Sequence, residues 1–97
     1  MSASLSTHVL DTGRGEPARG VRVELLHGEV AVGSGETNDD GRIPELASGL
    51  EAGEYRLVFH PPSPFFRRVE LEISLDDGHY HVPLLVSPFG CASYRGS

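Results

Sequence analysis

Apolar residues along this chain recur mostly at every second position, and short polar or glycine-rich stretches break the pattern into segments. That period belongs to strands with one buried face. Residues 4–11 read as a first strand, and Asp11 to Pro17 as a loop. Val21, Val23 and Leu25 alternate with Arg22 and Glu24, giving a half-buried strand, and His27-Gly28-Glu29 turns it into another running from Val30 to about Thr37. Asn38-Asp39-Asp40-Gly41 has the composition of a tight turn, since Asn and Asp bond their own backbone and Gly accepts positive φ. A short strand from Arg42 to about Leu46 follows, then Ala52-Gly53 leads into Tyr55–Phe59, where two aromatics and Leu57 share one face. Pro61, Pro62 and Pro64 fix a non-helical connection. Val69, Leu71, Ile73 and Leu75 stand opposite Glu70 and Glu72, and Asp76-Asp77-Gly78 reads as a hairpin-like turn. The last block supplies a longer strand interrupted at Pro83 and a short one near Ser93-Tyr94. Leu46–Glu54 comes nearest to a helix, but Gly49 and Gly53 weaken it. Seven or eight short strands spaced this way predict an all-β, two-sheet sandwich, with an open barrel as the competing arrangement.

Length and charge narrow the functional classes. At 97 residues the chain reads as one domain, 1–97. A monomer of this size buries only about 60–65% of its unfolded surface, so a partner subunit would add stability. The chain has eight basic residues, all arginine, and fourteen acidic ones, for a formal charge of -6. That balance argues against nucleic acid, which favours concentrated positive charge. Cys91 has no internal partner, so neither a disulfide-stapled scaffold nor a multi-cysteine metal site is expected. No run approaches the ~20 apolar residues of a membrane span, and Met1-Ser2-Ala3-Ser4 does not resemble a signal peptide; a cytoplasmic protein is expected.

The chemistry-bearing residues gather near the two ends of the chain. Residues 79–97 are apolar and aromatic, carry two histidines, and close on Arg-Gly-Ser, unlike the polar tails usual at chain ends. His79 and His81 lie on one face of a regular strand, with Tyr80, Val82 and Leu84 on the other. Either imidazole can exchange protons near neutral pH, and His-x-His is also metal-ligand spacing, with His8 the attractive third ligand. In the first strand Ser6, His8 and Leu10 share one side and Leu5, Thr7 and Val9 the other. Arg42 directly follows the Asn38–Gly41 turn, where its guanidinium could enter a cleft and bind a carbonyl or enolate oxygen, or make an ordinary ion pair. Tyr94, Arg95 and Ser97 complete the set; Ser97 offers a hydroxyl and, as the last residue, a carboxylate. His27 and His60 adjoin turns and read as surface residues. Cys91 reads as a small apolar filler. The sequence has no Gly-x-Ser-x-Gly nucleophile elbow.

Several of these segments together resemble the 5-hydroxyisourate hydrolases, the transthyretin-related enzymes of purine breakdown. The match runs through Leu5-Ser6-Thr7-His8-Val9-Leu10-Asp11-Thr12, Gly15–Val23, Thr37–Arg42, His79-Tyr80-His81-Val82-Pro83-Leu84-Leu85 and the terminal Tyr94-Arg95-Gly96-Ser97. The resemblance implies a transthyretin-like sandwich and hydrolytic opening of a cyclic amide. It implies His8, Arg42 and His81 as the catalytic constellation supported by Ser97, with Tyr94 joining them in substrate binding, and no metal or cofactor. It further implies a homotetramer, a dimer of dimers with sites at the dimer–dimer interface. Two departures bear on assembly. Cys91-Ala92-Ser93 stands where the family usually has Tyr-Ser-Thr, and the 60–66 connection is short, so the family's short helix is expected to be missing.

Overall fold

A computed structural model describes residues 2–96. Nine strands follow one another: β1 (Ala3–Asp11), β2 (Glu16–Pro17), β3 (Arg22–His27), β4 (Val30–Glu36), β5 (Arg42–Leu50), β6 (Gly53–His60), β7 (Val69–Leu75), β8 (Gly78–Ser87) and β9 (Gly90–Ser93). They form two sheets. In the first, β1 is the hub: β2 and β5 pair with it antiparallel, β8 pairs with it in parallel, and β9 borders β8. The second sheet has the order β4-β3-β6-β7, antiparallel throughout.

Alternating apolar side chains bind the layers together. Leu5, Val9, Leu84 and Val86 from the first sheet meet Val23, Leu25, Leu57 and Phe59 from the second, all at most 1% exposed. Burying each such side chain fully stabilises the fold by about 1.5–3 kcal/mol. Val69, Leu71 and Ile73 complete the cluster from the β7 side. On the outer face of the second sheet, His60–Glu24 (3.0 Å), Arg68–Glu70 (2.8 Å) and Arg56–Glu70 (3.5 Å) form a lattice of exposed or half-exposed ion pairs. Surface pairs of this kind contribute at most about 1 kcal/mol each, so the core carries the stability.

The two-sheet sandwich agrees with the periodicity, and the departures have local causes. Nine strands occur among the described residues, one beyond the expected seven or eight, because Glu16 and Pro17, expected in a loop, pair with Asp11 and Leu10. The segment with the nearest approach to a helix is strand and turn: β5 runs to Leu50, and no helix occurs among the described residues. Alternation fails in β5 because its register against β1 shifts twice, leaving Leu46 and Ala47 both buried. The Asp76–Gly78 turn makes no hairpin, since β7 and β8 belong to different sheets and the turn carries the chain across the core. Pro83 interrupts a ladder and not its strand. β8 is continuous through it, but pairing with β9 starts at Leu84↔Ser93 and reappears only as an isolated His81↔Gly96 bridge. Proline has no N–H to give the ladder; the Ser93 hydroxyl instead donates to the Pro83 carbonyl at 2.8 Å.

Candidate active site

The hub strand assembles the site. On the outer face of the first sheet, β1 presents Ser4, Ser6 and His8 in succession, the faces being set by Leu5, Thr7 and Val9, which are fully buried. The register places Ser4 opposite His79 and Ser6 opposite His81 on one side, and His8 opposite Arg42 on the other. His81 and Arg42 thus flank β1 from the two neighbouring strands, their backbones about 12 Å apart, two strand spacings across and two residues along. Parallel pairing of β1 with β8 is what brings residues more than seventy positions apart in sequence to neighbouring points on one surface.

Each imidazole has defined partners. His8 Nε2 lies 2.9 Å from the carbonyl oxygen of Asp40. A carbonyl only accepts, so this nitrogen carries the proton and donates; in the neutral ring Nδ1 keeps its lone pair. Ser6 Oγ lies 2.7 Å from His81 Nδ1 and 2.8 Å from His79 Nε2, and Ser4 Oγ lies 2.7 Å from His79 Nδ1. His81 Nε2 is left for chemistry. Burial pushes the His81 pKa below its ordinary 6.5, reinforced by the positive charges of Arg42, His8 and His79. At neutral pH the ring is therefore an uncharged base.

The turn before β5 sets Arg42. Asn38 Oδ1 accepts from the backbone N–H groups of Asp40 and Arg42, both at 3.0 Å. Gly41 closes the turn at φ 75°, and its carbonyl accepts from Val9 N–H at 2.7 Å. A side chain at Gly41 would bring a Cβ within 2.5 Å of the Val9 carbonyl, so only glycine lets the turn seat against β1. Ion pairs among the described residues engage Arg14, Arg19, Arg22, Arg56 and Arg68 but not Arg42. Of its two readings from sequence, the ordinary salt bridge has no acidic partner among those residues. Arg42 thus sets a positive charge beside the imidazoles of His8 and His81 on one face of a chain whose net charge is -6.

Not every predicted residue joins this cluster. Ser97 lies outside the described residues. Gly96 is at the cluster, its N–H donating to the His81 carbonyl at 2.6 Å. Tyr94 is 54% exposed and borders a cleft of about 260 Å³ with Leu71, Ile73, Val82 and Arg95. Arg95 stacks its guanidinium 4.2 Å above the Tyr80 ring, a cation–π contact. His27 stacks on Tyr55, and His60 Nε2–H donates to the Glu24 carboxylate, both on the second sheet and away from β1. That hydrogen bond, more than the charges of Arg22, His60 and Arg68, lowers the Glu24 pKa. Burial raises the Cys91 thiol pKa, which suits a filler better than a nucleophile. A cavity of about 350 Å³ opens on the second sheet beside Leu26, Glu54, Arg56 and Glu72, and no histidine lines it.

The metal alternative keeps two uncommitted ring nitrogens, His81 Nε2 and His8 Nδ1, while both nitrogens of His79 are engaged by serines. No group of three His, Cys, Asp or Glu side chains among the described residues could hold an ion. Sequence reasoning placed Ser6 on the face of His8 without giving it or Ser4 a role; the serines' two-residue spacing to His8 was the available signal.

Gly96 yields a test of positioning. A Cβ there would meet His81 Cδ2 at 2.9 Å and the His81 carbonyl at 3.2 Å. Gly96→Ala is expected to turn the imidazole and lower turnover by about tenfold to a hundredfold, because misplacement of a catalytic group by about 1 Å can cost that much. The urea midpoint should barely move, and steady-state kinetics beside an unfolding curve would check both.

A β-sandwich with two histidines and an arginine gathered on the outer face of one sheet defines a class, and comparison with known proteins identifies it. The model of the HIUase/Transthyretin family matches residues 5–96; the chain belongs to that family. Relatives include 5-hydroxyisourate hydrolase 2 of Rhizobium meliloti (strain 1021), 40% identical over 117 aligned positions covering 99% of this chain and 98% of the relative. Another is the 5-hydroxyisourate hydrolase of Deinococcus radiodurans, 42% identical over 96% of this chain and 95% of its own. Among solved structures, Klebsiella pneumoniae 5-hydroxyisourate hydrolase superposes with a TM-score of 0.90 at 34% identity, covering 98% of this chain and 99% of that one. The 117 aligned positions exceed the 97 residues of this chain, so the Rhizobium relative carries segments absent here, in keeping with the missing helix.

Proposed function

We propose that the chain, residues 1–97 acting as one catalytic domain, hydrolyses 5-hydroxyisourate in the degradation of urate to allantoin. Water adds to a ring carbonyl, the N1–C6 bond breaks, and 2-oxo-4-hydroxy-4-carboxy-5-ureidoimidazoline results. The observation that carries this reading is the convergence of His8, Arg42 and His81 from three adjacent strands on one face. The family membership and the relatives' names support it.

The geometry divides the work. His81 Nε2 and His8 Nδ1 are the nitrogens left for substrate and water, and between them they take a proton from the attacking water and return one to the departing ring nitrogen. Arg42 binds substrate oxygen and stabilises the charge that develops on it as water adds. Ser97 holds the water or orients a catalytic side chain, while Tyr94, at the cleft with Val82 and Arg95, is given no part in binding within one copy of the chain. Two imidazoles and a guanidinium suffice for this chemistry, so it asks for neither metal nor cofactor.

Four copies assemble as a dimer of dimers with the sites between paired dimers. In support, the histidine face lies on the outside of a sheet, where a second copy would exclude water, and a chain of 97 residues gains stability from such cover. No helix among the described residues is long and apolar enough to cross a membrane. Cytoplasmic residence accords with the lone free Cys91.

The pH profile tests the assignment of His81. Its neutral form is the base, and its pKa lies below 6.5 for the causes given above. Activity should therefore be full at neutral pH and fall as pH drops through that lowered value. The log of kcat/KM against pH should show an acid limb below 6.5 that disappears when His81 is replaced. An acid limb centred above 6.5, or one that persists without His81, would reject the assignment.

A further inference from the structure

We infer that Ser4, His79, Ser6 and His81 form a proton relay that sets the tautomer of His81 and carries its proton to and from solvent. The inference rests on the hydrolase reading above. Its basis is an unbroken run of three hydrogen bonds: Ser4 Oγ to His79 Nδ1 at 2.7 Å, His79 Nε2 to Ser6 Oγ at 2.8 Å, and Ser6 Oγ to His81 Nδ1 at 2.7 Å. Ser6 sits at the centre and is 7% exposed; His79 lies toward solvent.

Hydrogen-bond valence makes the run directional. A hydroxyl donates one proton, and a neutral imidazole has one donor and one acceptor nitrogen. When every link is satisfied between neutral rings, two arrangements remain. In one, Ser4 donates to His79 Nδ1, His79 Nε2–H donates to Ser6, and Ser6 donates to His81 Nδ1, so His81 carries its proton on Nε2. In the other, every link reverses, and His81 presents a bare Nε2. Both rings therefore hold their proton on the same-named nitrogen and switch together.

The second arrangement is the base. As the oxygen of water bonds to the ring carbonyl carbon, its proton passes to His81 Nε2. Nδ1–H then moves to Ser6, the Ser6 proton to His79 Nε2, and His79 Nδ1–H to Ser4, which gives its own proton to solvent. One proton enters and one leaves, and the arrangement becomes the first. His81 Nε2–H now donates to the ring nitrogen as the N1–C6 bond breaks. The relay runs back with one proton taken up at Ser4, and the base is restored. The titratable and charged groups facing His81 are His8 from β1, Arg42 from β5 and His79 from its own strand. Beside the Arg42 guanidinium a path that removes the proton keeps imidazolium from accumulating. Ser6 and His79 are positioning residues, since they act through His81.

Three variants and one spectrum test the relay. Ser6→Ala removes the central hydroxyl; Ser6→Thr keeps one. His79→Gln retains a donor and an acceptor but cannot pass a proton through itself. Ser6→Ala and His79→Gln should each lower kcat by about tenfold with little change in KM, a part of the full acid–base contribution, while Ser6→Thr recovers most of it. The solvent-isotope proton inventory should be curved in the wild type and Ser6→Thr, and linear in Ser6→Ala. Wild-type kcat and a wild-type inventory in both disabling variants would overturn the relay. Independently of activity, ¹⁵N shifts of the neutral rings should place the proton on the same nitrogen of His79 and His81, a match lost in Ser6→Ala. Opposite tautomers in the wild type would also overturn it. If the wild type fails to hydrolyse 5-hydroxyisourate, the functional reading falls, and the ¹⁵N spectrum still decides the relay.

Discussion

His8→Ala and His81→Ala are each expected to lower kcat/KM by about a hundredfold to ten-thousandfold, the range general acid–base groups supply. The double variant should be little worse than the weaker single. Proton removal from water and proton delivery to the leaving nitrogen belong to one reaction cycle, so losing either partner already forfeits most of what the pair contributes. The two histidines come from neighbouring parallel strands, and their uncommitted nitrogens are His8 Nδ1 and His81 Nε2. Neither substitution removes a buried apolar contact, since both side chains lie on the outer face, so unfolding midpoints should stay near wild type. Rates measured for the two singles and the double give the coupling directly. Additive losses would mean that the histidines act independently and that the shared-cycle assignment is wrong.

Phe59→Ala is expected to destabilise the fold by about 3–5 kcal/mol, the usual cost of removing a buried aromatic ring. Phe59 is fully buried in β6, between Val23 of β3 and Val69 of β7 in the sheet, and it projects with Tyr55 and Leu57 into the space between the layers. Domains of this size have only about 5–15 kcal/mol of stability to lose. Each 1 kcal/mol moves the melting temperature of a 60–100-residue domain by about 4–8 °C, so a fall of at least 12 °C is expected. Urea unfolding with a common slope would give the free-energy change. A loss below about 1 kcal/mol would show that the core closes around the cavity and that Phe59 is not a keystone of the sandwich.

Most of the fold was legible because its signal is local. Alternation across Val21–Leu25, Tyr55–Phe59 and Val69–Leu75 depends only on which face of a strand meets the core, and the sandwich follows from having many such strands. The pieces that escaped depend on distant partners. Glu16 and Pro17 are a strand only because Leu10 and Asp11 lie beside them, and β5 outruns its alternation because its register against β1 slips twice. Asp76-Asp77-Gly78 has hairpin chemistry, yet whether a turn joins neighbours or crosses between sheets is decided by the rest of the topology. The candidate site divides in the same way. His8, Arg42 and His81 stood out by residue type and by their likeness to a family. Ser4 and Ser6 did not, because a serine beside a histidine acquires meaning only when β8 docks in parallel and pairs Ser6 with His81. The carbonyl of Asp40 that fixes the His8 tautomer has no side-chain signature at all.

The most direct measurement is the decay of freshly generated 5-hydroxyisourate, followed by ultraviolet absorbance, with metal-free wild-type protein at neutral pH and without it. The proposed function predicts decay far faster than the spontaneous rate, proportional to protein concentration and saturable in substrate. Folded protein that leaves the spontaneous rate unchanged would contradict it.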